Sequence, residues 1–194
     1  MSHPDSPDTP AHTHPHTHGH DDAHKHDHAH DPAHGHTHAP EAPAPIDWRD
    51  CGVKVIPGGA LDPNTAQTPG MSRATAINHA RAGAEKLWAG TVHIHPDAKT
   101  GAHHHGDLES VIFVVKGKAR MRWGESLEFT AEAGPGDFIF IPPYVPHQEI
   151  NASADEVLEC VLVRSGQDPV VVNLDITPVE APTTVKWIDP IHKS

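Results

Sequence analysis

Alternation of apolar and polar positions dominates the second half of the chain, whereas residues 1–45 hold no Val, Ile, Leu, Phe, Trp or Tyr. Thr91–His95 puts Val92 and Ile94 on one face of an extended strand and His93 and His95 on the other. Leu108–Lys116 is rich in β-branched residues and stops at Gly117. Lys118–Trp123 alternates again, with Ala119, Met121 and Trp123 facing one way and Lys118, Arg120 and Arg122 the other. Gly124-Glu125 reads as a hairpin turn into Leu127–Thr130, and Gly134-Pro135-Gly136 as a turn before the apolar run Phe138–Ile141. His147–Ile150, Val157–Val163 and Val170–Leu174 supply further strands, and Val53–Ile56 a short edge strand. The only helical signal is weak and lies around Asn78–Leu87. Many short strands separated by Gly/Pro turns predict an all-β jelly-roll barrel.

The pattern divides the chain into a disordered His-rich tail over 1–45, a linker and N-terminal arm packing on the barrel over 46–89, a barrel over 90–176 and a C-terminal extension over 177–194. Residues 1–45 lack the side chains a core requires and contain eight prolines. No apolar run approaches the roughly 18 residues that span a membrane, and no basic segment precedes an apolar one as in a secretory signal. A formal charge of -12 offers no basic surface to nucleic acid. The two cysteines, Cys51 and Cys160, form no framework and read as reduced thiols, which predicts a cytoplasmic protein.

Composition then sharpens the picture, because 21 of the 194 residues are His and 13 of these lie between His3 and His38. Runs such as HTHPHTHGH and HKHDHAH place imidazoles two residues apart on unstructured chain, close enough to chelate Zn, Ni, Co or Cu weakly. The tail is either a solvated segment without a role or a metal collector that raises the local metal concentration. Its composition resembles the His-rich segments of bacterial nickel and zinc chaperones.

Two later segments carry His that compositional bias does not explain. In Gly101–Glu109, His103 and His105 share a face of extended chain while His104 points away, and Glu109 keeps their parity if the chain stays extended. His147, at the end of Gly136–His147, would complete a three-His, one-carboxylate set able to hold one Fe, Mn, Zn, Ni or Cu ion with open positions. Glu149 follows His147 by two residues and shares its face, as a general base or as a partner that orients a ligand His. His93 and His95 belong to the exterior, and His104 to the surroundings of the site or the surface. Tyr144 lies in a loop, and Arg120 and Arg122 are solvated. Val111, Phe113, Val115, Met121, Trp123 and Phe138 or Ile139 are candidates to line an apolar pocket, which disfavours a sugar phosphate.

These segments resemble the paired motifs of the cupin superfamily. The second motif matches from Gly136 through Pro142 and His147 to Asn151, with Tyr144 where the motif has glycine. The first matches at His103, His105 and Glu109, but seven residues separate Glu109 from Gly117 where the motif has six, and a strict count places Ser110 in the carboxylate position. The resemblance covers about residues 90–165. It implies a double-stranded β-helix with the metal inside the barrel, a homodimer, and His103, His105, Glu109 and His147 as ligands. It implies a metal-dependent enzyme acting on a small organic molecule, with dioxygenase chemistry ahead of isomerase or lyase chemistry. The alternative is a non-catalytic protein that stores or delivers metal, or binds a small ligand. No nucleic acid or membrane partner is expected.

Overall fold

The computed structural model describes residues 45–188 and 190–191. Apart from Pro45, the His-rich segment lies outside the described residues, as does His192. The strands are β1 (Met71–Ile77), β2 (Leu87–Ile94), β3 (His103–His104), β4 (Ser110–Lys116), β5 (Ala119–Trp123), β6 (Phe129–Ala133), β7 (Phe138–Ile141), β8 (His147–Asn151), β9 (Leu158–Ser165), β10 (Val172–Asn173) and β11 (Thr183–Thr184). They form a five-stranded sheet, β1-β2-β9-β4-β7, and a six-stranded sheet, β10-β3-β8-β5-β6-β11. The chain crosses repeatedly from one sheet to the other, which is the double-stranded β-helix that the strand pattern and motifs predict.

Alternation fixes which side chains enter the space between the sheets. In β9, Leu158, Cys160, Leu162 and Arg164 are buried and their neighbours are not. In β4, Ser110, Ile112 and Val114 face inward. Val111, Phe113 and Val115, expected to line the pocket, therefore face outward, as does Phe138, whose ring lies 4.7 Å from that of Phe113. Ile112, Val114, Ile94, Met121, Ile141, Leu158 and Leu162 make the core, with Trp123 and Ile139 packed against it.

Three local readings are corrected. The short helix expected around Asn78–Leu87 is present but only four residues long, α2 (His79–Ala82), and it is flanked by β1 and β2, which pair from Met71↔Ile94 to Ile77↔Ala89. Ala- and Arg-rich chain favours helix intrinsically, but burial of Met71 and Thr75 against β2 overrides that preference. The sheet thus begins at Met71. Val53–Ile56 forms no strand, because Val53 and Val55 find no neighbour to pair with and stay exposed; a helical turn, α1 (Trp48–Cys51), precedes it. The turn after β5 spans Gly124–Glu128, since Leu127 adopts φ 51° to bury its side chain completely, and β6 starts at Phe129. Beyond the barrel, residues 177–184 follow the edge at β6: Val179 N–H donates to Ser126 O, Arg122 Nη2 donates to Val179 O at 2.6 Å, and β11 pairs parallel with β6. Arg122 is therefore a tether rather than a solvated cation, and Arg120 is paired with Glu132.

Candidate metal centre

The site is assembled by β3, β8 and the turn that follows β3. His103 and His147 are direct cross-strand partners, so antiparallel pairing alone brings their rings together, with centroids 4.4 Å apart. Two residues further along β8, Glu149 enters the same space opposite Met121. His105 lies just past β3, its ring 4.9 Å from His103 and 5.1 Å from His147. One potential ligand atom from each of His103, His105, His147 and Glu149 lies within 4.8 Å of the others, and all four residues are buried.

Glu109 is not among them. Gly106 takes φ 62° and Leu108 N–H donates back to His105 O, so the chain turns after His105 and the extended parity that would carry Glu109 inward is lost. Glu109 is exposed, with its backbone N–H held by Ser165 Oγ. Ser110 enters the barrel in its place, as the strict motif count allows, and the carboxylate comes from Glu149. Its nearness to His147 in sequence was the available signal. Arg164 is the residue the sequence reading missed: it faces inward from β9 opposite Ser110, with Nη2 3.4 Å from His105 Nε2. The strict alternation of β9 was the clue. His93 is on the outer face of β2 and His95 is exposed, as expected, and His104 points away from the cluster, accepting from Gly106 N–H.

The electrostatics suit a cation held by neutral imidazoles. Each His presents Nδ1 to a backbone carbonyl: His103 to Gly101 O at 3.0 Å, His105 to Val170 O and His147 to Val145 O at 2.8 Å. A carbonyl only accepts, so Nδ1 carries the proton and Nε2 keeps its lone pair. Burial, reinforced by the Arg164 guanidinium, pushes His105 down to about 3. Burial and the neighbouring His103 also lower His147. His147 Nε2 is buried without a hydrogen-bond partner, an omission that ordinarily costs about 1–3 kcal/mol. An acceptor oriented from behind and unsatisfied in front is what a metal ligand requires, so the donor set fits one divalent transition ion. Cys160 stands outside this cluster, and burial pushes its thiol up to about 12.

The surroundings provide two kinds of space. An internal void of about 20 Å³ has apolar walls, including Ile94, Ile112, Met121 and Leu162, with Glu149 as its one charged group. It has room for one water or a molecule of similar size. An open cleft of about 1260 Å³ reaches His147 between β5, β6, β7 and the 180–187 segment, and it is large enough to admit an organic molecule.

Asn151 and Tyr144, the remaining motif positions, are structural. The Asn151 amide donates to Ile94 O, His95 O and Glu156 O. Tyr144 stands at the motif's glycine with φ 60°, in the left-handed region that glycine occupies freely.

Fold and site together define a double-stranded β-helix protein with a buried His₃Glu centre. Residues 90–167 match the family described as Cupin domain, so this segment of the chain is a cupin barrel. Solved structures agree on the fold. The polyketide cyclase RemF from Streptomyces resistomycificus is 23% identical with a TM-score of 0.55, over 67% of this chain and 89% of that one. An uncharacterized conserved protein with a double-stranded β-helix domain from Klebsiella pneumoniae is 15% identical with a TM-score of 0.50, over 63% and 98%. Oxalate decarboxylase from Lactobacillus farciminis, in a formate complex, is 22% identical with a TM-score of 0.51, over 60% and 34%. No curated protein matches the chain in sequence.

Proposed function

We propose that the barrel is a mononuclear metal-dependent enzyme acting on a small organic molecule, and that the His-rich tail collects the transition metal it uses. The buried, unpartnered Nε2 of His147 carries this reading, since it lies among three further potential ligand atoms, and His147 is also one of the residues lining the open cleft. His103, His105, His147 and Glu149 would hold the ion. A bound ion of this class supplies Lewis acidity or redox chemistry. The chain's own residues fix the imidazole tautomers through three carbonyls, exclude water from the ligand side of β8, and leave the cleft as the route of entry.

One fold hosts many reactions, and the neighbours include a polyketide cyclase and an oxalate decarboxylase, so likeness does not choose among them. Oxygen-dependent chemistry is the reading favoured here, since a redox-active ion in a largely apolar barrel could take up dioxygen beside an organic molecule. Glu149 acts in this account as a ligand rather than a free general base.

The working form is a homodimer. The outer face of the five-stranded sheet exposes Val115, Phe138 and Phe140 beside half-buried Val111 and Phe113, an apolar surface that a second copy would cover. Among the described residues no helix is long and apolar enough to cross a membrane. The free thiols Cys51 and Cys160 accord with a cytoplasmic location.

The alternative, metal storage or delivery, draws on the 13 His of the tail. Deleting residues 1–45 separates the two. The enzyme reading expects a truncated protein that keeps one tightly bound metal and retains turnover once a substrate is identified. Storage expects several metals per chain to fall to about one, with no turnover in either form.

A further inference from the structure

Arg164 is a buried cation with no carboxylate in direct contact. It keeps 9% of its surface exposed and makes no salt bridge among the described residues; the negative charge that reaches it across the barrel is that of buried Glu149. Its Nε is buried with no partner, and Nη2 has only the 3.4 Å contact to His105 Nε2, at the outer limit of a hydrogen bond. Directly opposite on β4 stands Ser110, 1% exposed, whose Oγ also lacks a partner. Three buried polar atoms without partners among the described residues, Ser110 Oγ, Arg164 Nε and His147 Nε2, thus converge on one region of the barrel. A metal would answer His147; Arg164 Nε–H and the Ser110 hydroxyl can donate, and call for an acceptor.

We infer that Arg164 and Ser110 form a subsite for the carboxylate of a small organic acid, held beside the His cluster with its remaining atoms toward the metal centre. A guanidinium stays charged even when buried and presents its N–H groups as a fork that matches a carboxylate. A Ser hydroxyl adds a third donor. Burying a guanidinium without a direct partner is unfavourable, and an anion held in good geometry by the subsite would offset part of that cost. Metal binding strengthens the requirement, because an ion that takes the lone pair of His105 Nε2 leaves the guanidinium with no acceptor and raises the local positive charge. Glu149 supplies a single negative charge to a site that then holds a divalent ion and Arg164. The position also rationalises the serine at the motif's carboxylate slot: a carboxylate at 110 would neutralise Arg164 and occupy the subsite from within. This assignment rests on the small-molecule reading above and gives that molecule its chemical class.

The test uses the metal-free full-length protein at pH 8, where unperturbed His is neutral. Nitrogen-15 NMR follows the Arg164 Nε–H signal during titration with sodium acetate, with sodium chloride as the ionic-strength control. Expected is a saturable shift of that signal with acetate alone, and acetate affinity, measured by isothermal titration calorimetry on all three proteins because Lys carries no Nε–H, falling at least about tenfold in Arg164→Lys and about threefold in Ser110→Ala. A signal that does not move with acetate, or moves equally with chloride, overturns the subsite. If Arg164→Lys fails to fold, the wild-type titration and Ser110→Ala still decide. Bound metal is measured on the same proteins. Acetate binding unchanged in a folded Arg164→Lys that has lost its metal also overturns the subsite and makes Arg164 a support of the metal centre. Wild type that binds acetate but takes up no metal leaves the subsite standing and removes the metal-enzyme reading instead.

Discussion

Tyr144 and Asn151 show how single residues of a motif divide between backbone conformation and hydrogen bonding. Tyr144 occupies a left-handed conformation that costs an L-residue roughly 1 kcal/mol, and its side chain is largely exposed. Tyr144→Gly should therefore raise the unfolding free energy by about 1 kcal/mol, read as a higher urea midpoint; a lower midpoint would mean that the contact with the His104 ring outweighs backbone strain. Asn151 presents the opposite case. Its amide serves three carbonyls and its carbonyl accepts from Ser153 N–H, so Asn151→Ala strands several groups at once. A loss of about 2–4 kcal/mol is expected in the same denaturation experiment, and a loss near zero would assign those carbonyls to water. The three His were legible because strand parity and motif spacing agree on them. Glu109 was misplaced because parity holds only along unbroken extended chain, and the left-handed Gly106 breaks it three residues earlier. Arg164 stayed hidden because a charged residue at the end of an apolar strand normally reaches solvent, so the alternation that places it on the inward face of β9 was outweighed by its charge.

At the level of elements, β8 is the ligand-bearing strand and is buried along most of its length. Its outer face is covered too: Gln148 Nε2 donates to Thr100 O, and Thr100 Oγ1 accepts from Glu149 N–H. That packing holds His147 and Glu149 in one register relative to β3 and β5. Alternation was readable in β5 and around His103–His105; in β4 and β9 the apolar run marked the strand but not its inward face. It failed in β1, whose Ala, Arg and Thr favour no single structure, and in β11, where two residues pair only because tertiary contacts hold them. The buried His also set a pH response. His105 titrates near 3 when folded and His147 is lowered, whereas in the unfolded chain both take protons near 6.5. Folding thus excludes protons, and the stability is present above about 6.5 and lost as the pH falls toward 3. Metal-free protein should melt at progressively lower temperature from pH 7 to pH 4, more steeply than His105→Gln does. Equal slopes in calorimetry would mean that His105 takes up a proton in the fold.

For the molecule as a whole, barrel and apolar outer face lead to different assemblies if the face is left bare. Phe138 and Phe140 are more than half exposed on edge strand β7, next to Phe113 and Val115. A chain with such a surface should sediment as a dimer, and Phe140→Glu should shift it to monomer without loss of bound metal. A wild-type monomer would leave the face to another partner. The fold was legible from turns and alternation because a barrel repeats one signal along the chain. The centre was only partly so, since it joins residues as distant as His103 and Glu149 and depends on where one turn falls. Metal content of residues 46–194, prepared without metal affinity and measured by elemental analysis, bears on the centre itself. One equivalent per chain is expected in wild type, His93→Ala and Glu109→Gln, with loss in His147→Ala and His103→Ala and at least about tenfold weaker binding in Glu149→Gln. A metal-free wild type, or loss in Glu109→Gln with none in Glu149→Gln, would contradict the His₃Glu centre.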